Sequence, residues 1–151
     1  MALRLSQSQY EKLIKNKTNK CSESNSISKN SKYHNKKINV NGINYDSIHE
    51  YDRHMYLKIL EKNGEISNLR FHDKKDIIIL QEYPKITYEP DFCYDIGDIH
   101  IIEDVKGVQT KEFRLKKKII IAKIINKEIK AKFILTKYIS KNNFKIIEEY
   151  D

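Results

Sequence analysis

Hydrophobic and polar residues alternate along several short runs of the chain, as they do in strands that bury one face. The first run, residues 38–45, is interrupted by Asn41-Gly42, a dipeptide that favours a two-residue hairpin turn. A turn at "DIGD" is expected to join two later strands. Alternation or short apolar runs predict these further strands at residues 66–71, 76–82, 86–94, 99–106, 130–137 and 144–149.

Two longer runs have helical spacing. Ser47 and Glu50 stand in the arrangement of a capping box, and Gly64 is a typical helix stop, so a helix is predicted between them. Its apolar stripe is expected to consist of Ile48, Tyr51, Met55 and Ile59. A second helix is predicted over residues 111–126, with apolar positions at Phe113, Ile120, Ile121, Ile124 and Ile125.

The order of these elements is hairpin, helix, strands, helix and strand. It predicts an α/β (α+β) fold with a central mixed β-sheet flanked by helices. At 151 residues the chain is long enough for one domain with a real hydrophobic core, and we assign that domain to residues 32–151. Residues 1–31 are expected to form a basic N-terminal arm, with a short amphipathic helix at 5–14 and a flexible Ser/Asn/Lys-rich linker.

The net charge of +8 is concentrated near the start of the chain, because residues 1–40 contain nine Lys or Arg and only two Asp or Glu. Lysine-rich segments bind polyanions by neutralising phosphates, although a solvated tail has the same composition. No run approaches the length of a membrane span, and no secretory signal pattern is present. We therefore expect no membrane partner and a cytoplasmic location, with which the two cysteines agree.

Two carboxylates and a lysine lie on adjacent predicted strands. Side chains alternate along a strand, so Asp104 and Lys106 share one face and Glu103 points to the other. An antiparallel neighbour can place Asp91 opposite Asp104, and like charges at such a position destabilise a sheet unless a cation neutralises them. Carboxylate oxygens favour Mg²⁺ or Mn²⁺. An ordinary surface ion pair is the alternative explanation.

The spacing Pro90-Asp91, twelve residues, Asp104-Val105-Lys106 resembles the signature of the PD-(D/E)xK nuclease superfamily. More of the chain fits, across roughly residues 32–137. The segments "SKYHNKK", "NGINYDSIHEYDRHMYLKILEKNGEISNLRF", "ITYEPDFCY" and "IIEDVKG" together resemble a family of small phage-encoded members, some described as endonucleases or Holliday-junction resolvases. The resemblance implies a restriction-endonuclease-like core and Mg²⁺-dependent cleavage of DNA, with Mn²⁺ as a substitute.

The same resemblance implies roles for individual residues. Asp91 and Asp104 would be metal ligands, the Val105 carbonyl a further ligand, and Lys106 the catalytic lysine. Related nucleases often add a glutamate from the first core helix, and Glu50 stands at that place. A capping box asks for Glu at this position in any protein, so capping and metal binding both stay open. Polar residues follow the lysine in some members of the superfamily, as Gln109 does here.

Basic residues on two segments are predicted to contact phosphates without distinguishing bases, and the solvated face of a helix is the alternative. With Gln109, they form the predicted nucleic-acid surface: Lys36, Lys37, Lys111, Arg114, Lys117 and Lys118.

Motifs that would indicate other functions are weaker or absent. The histidines of "HEYDRH" are five residues apart, about 140° around a helix, which excludes a zinc-protease pair. Cys93, His100, His72 and His54 match no zinc spacing, and no glycine-rich phosphate loop is present.

The carboxylate pair, the lysine and the resemblance together predict a metal-dependent DNA endonuclease. The resemblance alone implies that it is phage-encoded and selective for branched DNA. A homodimer is expected because many nucleases that cut both strands are symmetric dimers, which suits a chain this small. A non-catalytic nucleic-acid-binding module with the same fold is the main alternative. A protein that acts by contacting a host protein is the third.

Overall fold

The computed structural model describes residues 37–141 and 143–151. These residues form an α+β fold with a mixed five-stranded central sheet and two helices, as the pattern predicts. The predicted arm, linker and N-terminal helix lie outside the described residues. Two helices, α1 and α2, span Ile48–Lys62 and Lys111–Ile125, and a 3₁₀ turn spans Lys74–Asp76. The strands β1 to β9 are Ile38–Val40, Ile43–Tyr45, Ser67–Phe71, Ile78–Gln81, Ile86–Tyr88, Phe92–Ile96, Ile99–Val105, Lys132–Ser140 and Asn143–Tyr150.

The central sheet has the strand order β3-β6-β7-β8-β9. Only β7 and β8 run parallel, and α2 connects them, whereas the other neighbouring pairs are antiparallel. β1 pairs with β2 around the predicted Asn41-Gly42 turn, where both residues have positive φ angles of 54° and 80°. β4 and β5 form a separate two-stranded sheet.

The predicted strand 86–94 is wrong as a single element. It divides into β5 and β6 at Glu89-Pro90-Asp91, which belongs to neither strand. Proline has no N–H group and cannot donate to a ladder, so the chain leaves one sheet there and enters the other. Asp91 therefore stands immediately before β6, at the edge of regular pairing. The predicted C-terminal strands are confirmed but are longer than expected, ending at Ser140 and Tyr150.

Each face of the sheet packs against one helix. On the α1 side, Leu57 packs with strand residues that include Phe92, Ile101 and Val105. On the α2 side, Ile120 and Ile124 pack with a cluster that includes Ile102. The alternation predicted for β7 is thus confirmed, and Asp104 shares the α2-side parity of Ile102.

The apolar stripe predicted for α1 does not form its buried face. Ile48 is exposed, and the three buried positions are Glu50, His54 and Leu57, spaced at i, i+4 and i+7. Two of them are polar and have internal partners: the Ser47 hydroxyl bonds to Glu50, and the Tyr45 hydroxyl bonds to His54. A satisfied polar side chain can therefore take an inward position that the hydrophobic pattern assigns to solvent. Among the described residues, no helix has the length and apolarity needed to cross a membrane.

Candidate functional site

The side chains of Asp91, Asp104 and Lys106 meet at one end of the central sheet. Phe92 of β6 pairs with Glu103 of β7, so the next position places Asp91 opposite Asp104. The Lys106 ammonium lies 3.1 Å from Asp91 Oδ2 and also contacts Asp104 Oδ1. The convergence expected from strand alternation is therefore present, with one cation between two acids.

The Asp91 carboxylate is held by the last residue of β7 and the residue that follows it. Its Oδ2 accepts a hydrogen bond of 2.8 Å from the backbone N–H of Val105 and one of 3.1 Å from Lys106 Nζ. Asp91 is buried, although it lies outside a regular strand. These contacts fix its orientation toward Asp104. Val105 thus reaches the site through its N–H group, while the role predicted for its carbonyl stays a prediction.

Asp104 is the more deeply buried of the two acids, with 1% of its surface exposed. Burial, followed by the nearby charge of Asp91, raises the pKa of Asp104 to about 7. The Tyr88 hydroxyl donates a hydrogen bond to Oδ2. Oδ1 contacts the Lys106 ammonium but accepts no hydrogen bond of good geometry from any described residue. Among the described residues, the Lys106 ammonium is therefore the one partner of this buried oxygen.

Lys106 is enclosed by the two acids and by α2. Burial lowers its pKa, but the charges of Asp91 and Asp104 outweigh that effect and raise it above the usual value. The ammonium also lies 5.3 Å from the centre of the Phe113 ring. Lys106 is therefore charged at neutral pH. When both acids are ionised, the trio carries one negative charge in excess.

His72 is a member of the site that sequence reasoning missed. It follows β3, and its Nε2 lies 3.9 Å from Glu50 Oε2 and 4.0 Å from Asp91 Oδ1. Glu89 is 3.5 Å from its other ring nitrogen. Glu50 makes the largest contribution to a raised pKa for His72, with Asp91 and Glu89 adding to it against the effect of burial. No local motif marks this position, because β3 reaches the site through the fold.

Glu50 caps α1, as predicted. Its Oε2 accepts from the backbone N–H of Asp46 at 3.0 Å, and its own N–H donates to Ser47 Oγ at 3.2 Å. It is also buried beside His72. Within the described part of the chain, however, Glu50 does not form a group with Asp91 and Asp104 in which all ligand atoms lie within 4.8 Å of one another. The capping role is confirmed and the ligand role stays a prediction.

Glu103 points to the opposite face, as expected, and its partners there stabilise the fold. It is fully buried and accepts hydrogen bonds of 2.6 and 3.0 Å from Arg53. The hydroxyls of Tyr94 and Thr136 donate to it at 2.7 and 2.8 Å. With its oxygens engaged in this way, Glu103 ties α1 to the centre of the sheet.

The predicted nucleic-acid surface is only partly exposed. Lys111, Arg114 and Lys118 are exposed on α2. Assigning Lys117 to the same solvated face is wrong, because its side chain is buried and its Nζ lies 2.6 Å from both oxygens of Glu148. It faces inward because it lies at the i−3 position from Ile120, on the buried stripe of α2.

The remaining members of that surface differ in position. Gln109 belongs to the same polar group, since its amide donates to Glu148 at 3.1 Å and its oxygen accepts from Lys117 at 2.9 Å. Lys37 is exposed and pairs with Asp46 at 2.7 Å. Lys36 lies outside the described residues.

A second group of possible ligands lies away from the carboxylate pair. Asp76, Cys93 and His100 have ligand atoms within 4.8 Å of one another. Both oxygens of Asp76 already accept hydrogen bonds from Arg70, at 2.7 and 2.8 Å. Burial is the main cause that raises the pKa of the Cys93 thiol to about 12. A protonated thiol and an Arg-paired carboxylate are poor metal ligands, so this group is an internal polar cluster.

A surface cavity of about 440 Å³ opens beside the site. Its lining includes Lys106, Gln109 and Arg114, together with Lys137 and Ile147 from the two last strands. Lys106 is therefore accessible from a groove with basic walls, whereas Asp91 and Asp104 are buried and do not line it.

Comparisons with known proteins identify a family. The family model described as "Protein of unknown function (DUF1064)" matches residues 30–142, which include every described residue of the site. No curated protein and no solved structure matches the chain.

Proposed function

The chain belongs to the DUF1064 family of proteins of unknown function, and we propose that it is a metal-dependent DNA endonuclease that hydrolyses phosphodiester bonds. The proposal concerns the site formed by Asp91, Asp104 and Lys106. It includes the PD-(D/E)xK assignment, on which the phage origin and the preference for branched DNA depend. It also includes a cytoplasmic location and a homodimer.

One observation carries the proposal: two buried carboxylates share one ammonium, which leaves one negative charge in excess when both acids are ionised. Opposed carboxylates destabilise a sheet. A buried pair with only one positive charge between its two acids can be neutralised by a divalent cation. The donor set consists of hard oxygens, which Mg²⁺ and Mn²⁺ prefer. Asp91 and Asp104 would hold the ion, with Glu50 and the Val105 carbonyl as further candidates.

When bound, the ion would supply a water of lowered pKa and a positive charge beside the phosphate. The protein's own groups then have distinct tasks. Lys106 holds a permanently charged ammonium where negative charge develops on the phosphate oxygens, and it donates a hydrogen bond to the attacking water. The Val105 N–H keeps Asp91 in its orientation, and the Tyr88 hydroxyl does so for Asp104. Burial excludes other water from the pair.

The experiment is plasmid nicking and cleavage of single-stranded, duplex, flap and four-way DNA, with Mg²⁺ or with EDTA. Wild-type protein is expected to cut in Mg²⁺ and to be inactive in EDTA, and Asp104→Asn and Lys106→Met are expected to lose cleavage. Asp98→Asn, in the exposed turn before β7, is the matched control and should cut normally. DNA binding without any metal-dependent product would instead establish the nucleic-acid-binding module.

A further inference from the structure

Two lysines face each other across the last pair of strands. Lys137 of β8 and Lys145 of β9 are directly paired in the antiparallel register. Side chains at paired positions project from the same face, and like charges there destabilise a sheet. Both residues are exposed, and neither has an ion-pair partner within residues 37–141 and 143–151. Such an arrangement is unfavourable for the sheet alone and favourable for an anionic ligand.

The pair extends the line of the candidate site. β7 and β8 are parallel, with Val105 opposite Thr136, and the N–H of Lys106 donates to the Thr136 carbonyl at 3.0 Å. Lys106 and Lys137 each follow a member of this pair, so they stand side by side at the ends of the paired segments of β7 and β8. Lys137 also has the face parity of Leu135, which packs on the α2 side where Asp104 lies. We call Lys106, Lys137 and Lys145 the lysine row.

The groove beside the row carries further positive charge. Lys106 and Lys137 both line the 440 Å³ cavity, and Arg114 of α2 lines it from above the sheet. Arg114 is exposed and has no ion-pair partner among the described residues. The nearby acid, Glu148, is already neutralised by Lys117. The charges left free in this groove are therefore positive.

We propose that Lys137, Lys145 and Arg114 bind backbone phosphates of the DNA strand next to the bond that Lys106 serves; this inference rests on the endonuclease proposal. Neighbouring strands are about 4.8 Å apart, so the row extends about 10 Å across the sheet. One DNA strand rises about 3.4 Å per nucleotide along the helix axis, so the row corresponds to the axial rise of about three nucleotides. Lysine and arginine contacts to phosphate position DNA without distinguishing its bases.

The test is binding of a fluorescently labelled DNA duplex in EDTA, where no cleavage interferes, at several salt concentrations. The double variant Lys137→Ala/Lys145→Ala is compared with Lys58→Ala/Lys130→Ala, which removes the same charge from exposed positions outside the groove. We expect the first to weaken binding tenfold or more at 100 mM salt and to lower the slope of log Kd against log salt by about two. The control should stay within about threefold of wild type.

Folding and function are separated by two further measurements. The Lys137→Ala/Lys145→Ala protein should melt no lower than wild type, because the substitution removes a like-charge pair. Equal DNA affinities for the two double variants would overturn the inference. The inference would also be overturned if the Lys137→Ala/Lys145→Ala variant lost binding to anionic phospholipid vesicles while its DNA binding stayed unchanged.

Cleavage with Mg²⁺ tells which proposal has failed. If wild type binds DNA but never cuts it, and the lysine variant binds less tightly, the endonuclease proposal fails and the phosphate contacts stand. If wild type cuts and the lysine variant binds and cuts equally well, the phosphate contacts fail and the endonuclease stands.

Discussion

The hydroxyl of Tyr88 donates a hydrogen bond to the buried Oδ2 of Asp104. Tyr88 is itself buried, and burial with the adjacent Asp104 charge raises the pKa of its hydroxyl well above the usual value. The phenol therefore stays protonated and acts only as a donor to Asp104. Since hydrogen bonds to a carboxylate favour its charged form, Tyr88 helps Asp104 to ionise in a site where burial opposes ionisation.

Replacing Tyr88 by Phe is therefore expected to raise the pKa of Asp104 further above about 7 and to weaken Mg²⁺ binding at pH 7. The loss of a hydrogen bond to a charged group should also cost about 1.5–3 kcal/mol of stability. The Mg²⁺-dependent increase in melting temperature, measured at pH 7 and pH 8.5, checks this: the increase should be small at pH 7 and recover at pH 8.5. Tyr150→Phe, which removes an equivalent bond to the outer Glu148, is the control. An unchanged Mg²⁺ response at pH 7 would contradict the role given to Tyr88.

Asp104→Asn should stabilise the metal-free protein at pH 8. In the folded protein the raised pKa of Asp104 favours the neutral carboxyl group. The free energy of unfolding is therefore highest at low pH and falls as the pH rises to about 7 and above, where the buried group must ionise. The amide keeps the shape and removes the charge.

Thermal melting in EDTA from pH 5 to pH 8 provides the measurement. The variant should fall less steeply than wild type across this range and should no longer respond to Mg²⁺. Asp98→Asn should follow the wild-type curve, because that residue is exposed in the turn between β6 and β7. A variant that melts below wild type at pH 8 would refute the explanation based on opposed charges.

The sequence predicts the site's central trio because the two strands around Gly97 are local in the chain. Alternation along β7 and a short turn are enough to place Asp91 against Asp104 and Lys106. The break at Pro90 does not disturb this placement, because Asp91 remains next to the first paired residue of β6.

Residues that reach the site from distant elements could not be predicted in this way. His72 comes from the end of β3, whose position beside β6 depends on the assembled sheet. The pairing of Lys137 with Lys145 depends on register shifts in the β8–β9 ladder, which single-sequence patterns do not encode. The burial of Lys117 could not be predicted for the same reason, since its partner Glu148 lies on β9.

Glu103→Gln tests the buried network on the other face of the sheet. The substitution leaves the Arg53 guanidinium buried without its counter-charge, which is expected to cost about 3–5 kcal/mol. Urea unfolding measures this as a lower midpoint with an unchanged slope. Glu149→Gln removes one partner of the more exposed Lys132 pair on the edge strand and should cost no more than about 1 kcal/mol. Because Glu103 faces away from Asp104, the folded fraction of the variant should still respond to Mg²⁺. Equal losses in the free energy of unfolding for the two variants would mean that the buried Glu103–Arg53 pair does not stabilise the fold more than a surface pair does.

We expect His54 to make the protein less stable in mild acid. Burial is the main cause that lowers the pKa of His54 to about 4, with Lys58 and His72 adding to it, and its Nδ1 is 2.9 Å from the Tyr45 hydroxyl. A histidine with a lowered folded pKa favours its neutral form. Its contribution is complete above the unfolded value of about 6.5 and disappears as pH falls from there toward about 4.

The substitution His54→Gln isolates this contribution, because glutamine can bond to Tyr45 but cannot titrate. Stability from urea unfolding is compared between variant and wild type at pH 7 and at pH 4.5, so that acids such as Asp104 contribute equally to both proteins and cancel. The variant should lose less stability than wild type between the two pH values. His49→Gln, on the same helix but not buried, should keep the wild-type loss. If His54→Gln instead loses as much stability as wild type on acidification, the buried neutral histidine is not the origin of the acid sensitivity.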